Sequence, residues 1–147
     1  MTFKSLFILS VLSLLACPAA FSICRMEGGI AISLRLSPQI DRAARKTPQV
    51  PVPFDAEDNT TVTLRLSPHS PPLTFSQGQY RDEGNGDSQM LANRAEKGHS
   101  YPTQFLSFSR DHEGGLISGF YASTDPRKYV DFKGVCGYED LFGLGLH

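Results

Sequence analysis

Apolar residues fall on every second position in two stretches of this chain, "GGIAISLRLS" and "TTVTLRLS", and each run stops at the same Ser-Pro. In the first, Ile30, Ile32, Leu34 and Leu36 alternate with smaller or polar residues; in the second, Val62, Leu64 and Leu66 do the same. A two-residue period belongs to a strand with one buried face. The chain is thus committed to a sheet covered on one side, with Arg35 and Arg65 each turned away from the leucines. The pentapeptide LRLSP, shared by Leu34–Pro38 and Leu64–Pro68, reads as a strand and its stop signal used twice. A stacked solenoid needs about three or more such units, so two copies exclude it.

The two copies part company after the proline. Serine caps a helix N-terminus and proline suits the first helical position, so "QIDRAARK" after Pro38 is expected to continue as a short helix until Thr47-Pro48. After Pro68, the pair Pro71-Pro72 forbids a helix. "KTPQVPVPFDAED", with Pro48, Pro51 and Pro53, reads as an extended surface connection. "LTFSQGQY" is a strand candidate and "RDEGNGDS" a loop, after which a helix is expected from Asp87 or Ser88 through Met90, Leu91 and Ala95 to Gly98. "TQFLSFSR", "LISGFYAS" and "KYVDFKGV" are three further strands, separated by the turn-like "DHEGG" and "TDPR". The expected order is β–α–β–β–α–β–β–β. That is an α+β or mainly β single domain, an antiparallel sheet with one or two short helices, with Cys24 and Cys136 joining its edges. The tail after Cys136, with Leu141, Phe142, Leu144 and Leu146, fits a packed terminal strand or a partner-binding segment.

The first residues place the chain in the cell. Lys4 precedes an uncharged apolar run from Leu6 to Ala16 and then small residues, the order of a secretory signal, and the run falls short of the roughly 20 residues of a membrane span. The expected cut follows Ala20-Phe21-Ser22, giving a signal peptide over 1–22 and one secreted, extracellular domain over 23–147. Cys17 leaves with the signal; Cys24 and Cys136 remain, and an even number in an exported chain is read as one disulfide. "LLAC" also suits a lipoprotein signal with Cys17 lipidated, against which Pro18 counts. Asn59 in "NTT" is a glycosylation acceptor in a eukaryotic host.

Formal net charge is −1 with acids and bases interspersed, so no basic stripe announces nucleic acid and no acidic block a disordered tail. The densest reactive cluster is "SRDHEGG". His112 or Glu113 can serve as an acid–base group and Arg110 can hold a phosphate, although the same residues describe any exposed hairpin loop. His69, His99, His112 and His147 lack the short paired spacing of metal ligands, and no metal or cofactor is expected. The chain contains neither a G-x-S-x-G elbow nor a phosphate-cradling glycine loop.

The segment "SQMLANRAEKGHSYPTQF", read as a helix closed by Gly98 and followed by "SYPTQF", resembles the helix-to-sheet junction of the small secreted guanyl-specific fungal ribonucleases. It is similar also to the catalytically dead ribonuclease-like effectors of plant-pathogenic fungi. The resemblance implies one helix, a central antiparallel sheet and a disulfide joining the chain ends. Where the enzymes carry a catalytic histidine after Tyr-Pro, this chain has Thr103, and of the remaining catalytic positions only Arg127 in "DPRKYVDF" corresponds. The resemblance therefore implies a non-catalytic effector that binds a host or extracellular partner, a protein or RNA. The alternatives are a degenerate ribonuclease using His112 or Glu113 with Arg110 or Arg127, and an extracellular structural protein or lipoprotein. A binding surface would use exposed aromatics beside arginine, for which Tyr80, Tyr101, Tyr121, Tyr129, Arg110 and Arg127 are the candidates.

Overall fold

The computed structural model describes residues 20–111 and 115–138. They form ten strands in a single antiparallel sheet and one α-helix: β1 (Ala20–Met26), β2 (Ala31–Leu36), α1 (Pro38–Lys46), β3 (Val52–Phe54), β4 (Thr61–Arg65), β5 (Leu73–Phe75), β6 (Gln77–Asp82), β7 (Ser88–Arg94), β8 (Gln104–Arg110), β9 (Leu116–Ser123) and β10 (Tyr129–Tyr138). The strand order is β3-β6-β7-β8-β9-β10-β1-β2-β4-β5, so β6 to β10 are a continuous meander and β1 pairs with the last strand.

This order forces the sheet to curl. Strands β5 and β6 lie eight spacings apart in it, about 38 Å if the sheet were flat. Yet β5 ends at Phe75 and β6 begins at Gln77, so Ser76 alone joins them. The sheet rolls round until β5 packs back against β7, with the core enclosed. Glycines permit the tight approach of neighbouring strands that such rolling requires. A Cβ on Gly119 would lie 1.9 Å from the Ser107 carbonyl oxygen, and one on Gly134 would lie 2.2 Å from that of Arg25.

The two LRLSP copies pair with each other: Ile32 lies opposite Leu64 and Leu34 opposite Val62, and all four side chains are buried. Arg35 and Arg65 share the outer face, at opposite ends of that ladder. The Ser-Pro signal works as expected after the first copy. The Ser37 hydroxyl accepts from the Ile40 amide at 3.3 Å, Pro38 opens α1, and Ile40 and Ala44 are its buried face against β3 and β6. The helix ends at Lys46, before Pro48.

Three expectations need correction. The helix expected between Ser88 and Gly98 is strand β7, held between β6 and β8, and Gly98 lies in the turn that follows it. The proline-rich connection contains a short edge strand, β3, paired with β6. Cys24 and Cys136 form a disulfide, but across directly opposed positions of β1 and β10 in the middle of the strand order; the edges are β3 and β5. Residues 1–19 and 139–147, which contain the expected leader and the leucine-rich tail, lie outside the described residues. Strand β1 starts three residues before the expected mature terminus at Ile23. Among the described residues no helix is long and apolar enough to cross a membrane.

Candidate functional site

The meander presents one outer face, and its register sorts that face into rows. Gln79, Leu91, Ser107, Phe120 and Asp131 form a central row across β6 to β10. Beside it run Gln77, Asn93, Phe105, Ala122 and Tyr129. On its other side run Arg81, Gln89, Ser109, Ser118 and Lys133.

The first two rows hold an aromatic cluster that the fold leaves open. Leu91 is 55% exposed, Phe105 41%, Phe120 37% and Tyr129 53%. Phe120 and Tyr129, diagonal neighbours across β9 and β10, stack with centroids 5.7 Å apart. The Tyr129 hydroxyl donates to Asp131 at 2.8 Å, and that bond, which holds the phenol proton beside a carboxylate, raises its pKa. Four large apolar side chains exposed in one place exceed the scattered single exposures of an ordinary solvated sheet face. Leu91, Phe105 and Phe120, without Tyr129, line a groove of about 690 Å³ together with Gln77, Asn93 and Ser107, and no charged residue is part of its lining. Gln77 Nε2 donates to Asn93 Oδ1, which fixes the two amides relative to each other.

A second groove of about 810 Å³ occupies the far end of the same face and is charged: Arg25, Glu27, Glu83, Asp87, Asp111 and Lys133 are part of its lining, with Ser109 and Ser118 between them. Here the polar groups are largely engaged with one another. Arg81 bonds Glu83 at 2.7 Å and also donates to Gln89, which donates on to Ser109 at 3.3 Å.

Arg110, expected to hold a phosphate, ends β8 opposite the buried Ser88 and Ile117, and its guanidinium donates to Ser22 at 2.6 Å, closing a link between β8 and β1. Nearby, burial pushes the Tyr80 phenol up in pKa, against the opposing effects of its hydrogen bond with Ser88 and the Arg110 charge. These groups tie the interior together. Arg127 lies beyond the other end of β9, with its side chain 89% exposed and bonded to Asp125 at 3.2 Å. With Ile117 beside Arg110 and Ser123 beside the Arg127 turn, the two arginines are separated by roughly 20 Å of strand and do not converge. His112 and Glu113 lie outside the described residues.

Thr103, in the position of the ribonuclease histidine, is buried and structural: its hydroxyl accepts from the Glu96 amide at 3.0 Å. The helix-to-strand junction that carried the resemblance is a strand-to-strand connection here. Of the candidate binding tyrosines, Tyr129 belongs to the cluster, and Tyr101 is exposed on the β7–β8 loop with its ring edge-on to His99. Tyr121 and Tyr80 are interior residues and offer no surface; Tyr121, 2% exposed, accepts from Gln104 Nε2 at 3.0 Å, and Gln104 in turn accepts from Arg94. Asn59 is exposed in a left-handed turn residue after the short 3-10 turn at Ala56–Asp58, a reachable position for a glycan. Among the described residues no three metal-ligating side chains gather. Sequence reasoning missed Leu91, Phe105 and Phe120. Their signal was an apolar residue on the polar phase of a strand; for Leu91 the helical reading of β7 hid it, whereas Phe105 and Phe120 stood in segments read as strands.

No protein-family model, curated protein or solved structure matches this chain.

Proposed function

We propose that this chain is a secreted, disulfide-linked binding protein that acts without catalysis, and that it engages an extracellular or host partner through the outer face of β6 to β10. The observation that carries the reading is the open cluster of Leu91, Phe105, Phe120 and Tyr129 on one side of the sheet. Aromatic residues held rigidly on paired strands contribute contact area at small entropic cost, which is how interfaces concentrate their binding energy. Export is supported by the leader pattern at the N-terminus and by the Cys24–Cys136 bridge, which persists in oxidising compartments. An effector-like role is part of the same proposal, and its support is the exposed cluster rather than the ribonuclease resemblance, whose helix is strand β7.

Purified, oxidised protein tests the two halves separately. Introducing charge with Leu91→Lys and Phe120→Lys leaves the fold intact and abolishes retention on the extracellular fraction of the host. RNA cleavage that disappears in His112→Ala or Glu113→Ala would overturn the non-catalytic reading.

A further inference from the structure

We infer that the uncharged groove on the outer face of β6 to β9 is a site for a neutral oligosaccharide chain. This inference deepens the binding reading above and rests on it. Three observations select the ligand class.

The first is charge. The lining contains no acidic or basic side chain, whereas the neighbouring groove on the same face is rich in both. A nucleic acid needs cations along its phosphates, and an anionic or cationic peptide needs a counter-charge; a neutral ligand needs neither. The second is size. Its lining runs from Pro53 on β3 to Phe120 and Ala122 on β9, four strand spacings, or about 19 Å. Along the strands the lining occupies two adjacent rows, those of Gln77 and Gln79, about 7 Å, so the groove covers roughly 130 Å², far below the ~800 Å² that each partner buries in a standard protein interface, and it suits a single narrow chain.

The third is the mixture of groups. Phe105 and Phe120 offer apolar ring surface for the C–H faces of a pyranose; the Gln77 and Asn93 amides stand beside Phe105 on β6 and β7, and the Ser107 hydroxyl beside Phe120. Once Gln77 Nε2 has bonded Asn93 Oδ1, the Gln77 carbonyl oxygen and the Asn93 amino group remain as an acceptor and a donor side by side. Neighbouring hydroxyls on a sugar ring present the complementary pair. Ser107, half-buried between Leu91 and Phe120, has no side-chain hydrogen-bond partner among the described residues and is available to a ligand hydroxyl. A purely lipidic ligand would leave all of these polar groups unpaired, at a cost.

The test is calorimetric titration of the oxidised protein with three neutral hexasaccharides: β-1,4-linked glucose, β-1,3-linked glucose and β-1,4-linked N-acetylglucosamine. At least one is expected to bind. Its affinity should change by less than about twofold when salt is raised from about 50 to about 500 mM. It should fall at least about tenfold in Phe120→Ala and in Asn93→Ala. Arg127→Ala, on the distant turn, should bind as the parent does, and thermal unfolding of each variant separates lost binding from lost fold. Phe105→Ala is a second ring deletion should Phe120→Ala fail to fold. Failure of all three sugars to bind, or binding indifferent to both rings, overturns the assignment. A photocrosslinker at position 120 distinguishes the two levels: a protein captured there would overturn the sugar while leaving the binding face in place.

Discussion

Replacing Cys24 and Cys136 with alanine together removes a crosslink that spans 112 residues, and the size of the effect follows from that length. In the chain-entropy treatment, closing a loop of that size lowers the entropy of the unfolded chain by about 16 cal/mol/K, or about 4.8 kcal/mol at 25 °C. Two further effects act in opposite directions. Cys24 is fully buried, so its truncation adds about 1 kcal/mol for the emptied volume. Residual structure in the denatured state takes back a comparable amount. A net loss of about 3–5 kcal/mol is expected, equivalent to a fall in Tm of roughly 10–20 °C for a domain of this size. The chain has no tryptophan, so urea unfolding is followed by far-UV circular dichroism and tyrosine emission. The uncrosslinked denatured state is more expanded, and the m-value should rise with the loss of stability. A loss below about 1 kcal/mol with an unchanged m-value would refute the reasoning, because the two ends would then be held together in the denatured chain by something other than the bridge.

Gly119→Ala places a methyl against the Ser107 carbonyl and should cost about 2–4 kcal/mol in the same assay, whereas Gly98→Ala, with φ of 94° and open space around it, should cost only about 1 kcal/mol. Tyr121→Phe leaves Gln104 Nε2 without its buried partner and should lower stability by about 1–2 kcal/mol. The phenols of Tyr80, Tyr121 and Tyr129 all titrate above the ordinary tyrosine value, those of Tyr80 and Tyr121 chiefly through burial and that of Tyr129 chiefly through its bond to Asp131. Above pH 10 the unfolded chain therefore loses these protons before the folded one. Stability is fully present below that pH and declines as pH rises toward the folded pKa values; a urea midpoint that stays level from pH 9 to 11 would contradict the burial of Tyr80 and Tyr121.

The strands that were legible are those whose inward residues are apolar and whose outward residues are polar, as in β2 and β4, where the alternation runs without interruption. Helix α1 was legible because its start signal is local: Ser37 and Pro38 do their work within one turn. Strand β7 failed for a physical reason. Gln89, Met90, Leu91, Ala92 and Arg94 are good helix formers, and Leu91 faces outward, so Met90-Leu91-Ala92 shows no two-residue period. Pairing on both sides, with β6 and β8, outweighs that preference. The same outward leucine lines the proposed site. Strand β1 and the roll of the sheet were illegible because they depend on a partner more than 100 residues away.

That distant pairing governs the order of events as the chain folds. The first strand has its neighbours in β2, which follows it at once, and in β10, which comes after all the other described strands. Until β10 has been made, the chain is an unfinished sheet with β1 exposed along one side and Cys24 waiting as a thiol. Oxidation to the native bridge is therefore a late step, and it reports completion. Any thiol that reaches Cys24 earlier must be exchanged out again. The rate at which the native bridge forms should follow the arrival of β10 rather than the folding of any segment before it.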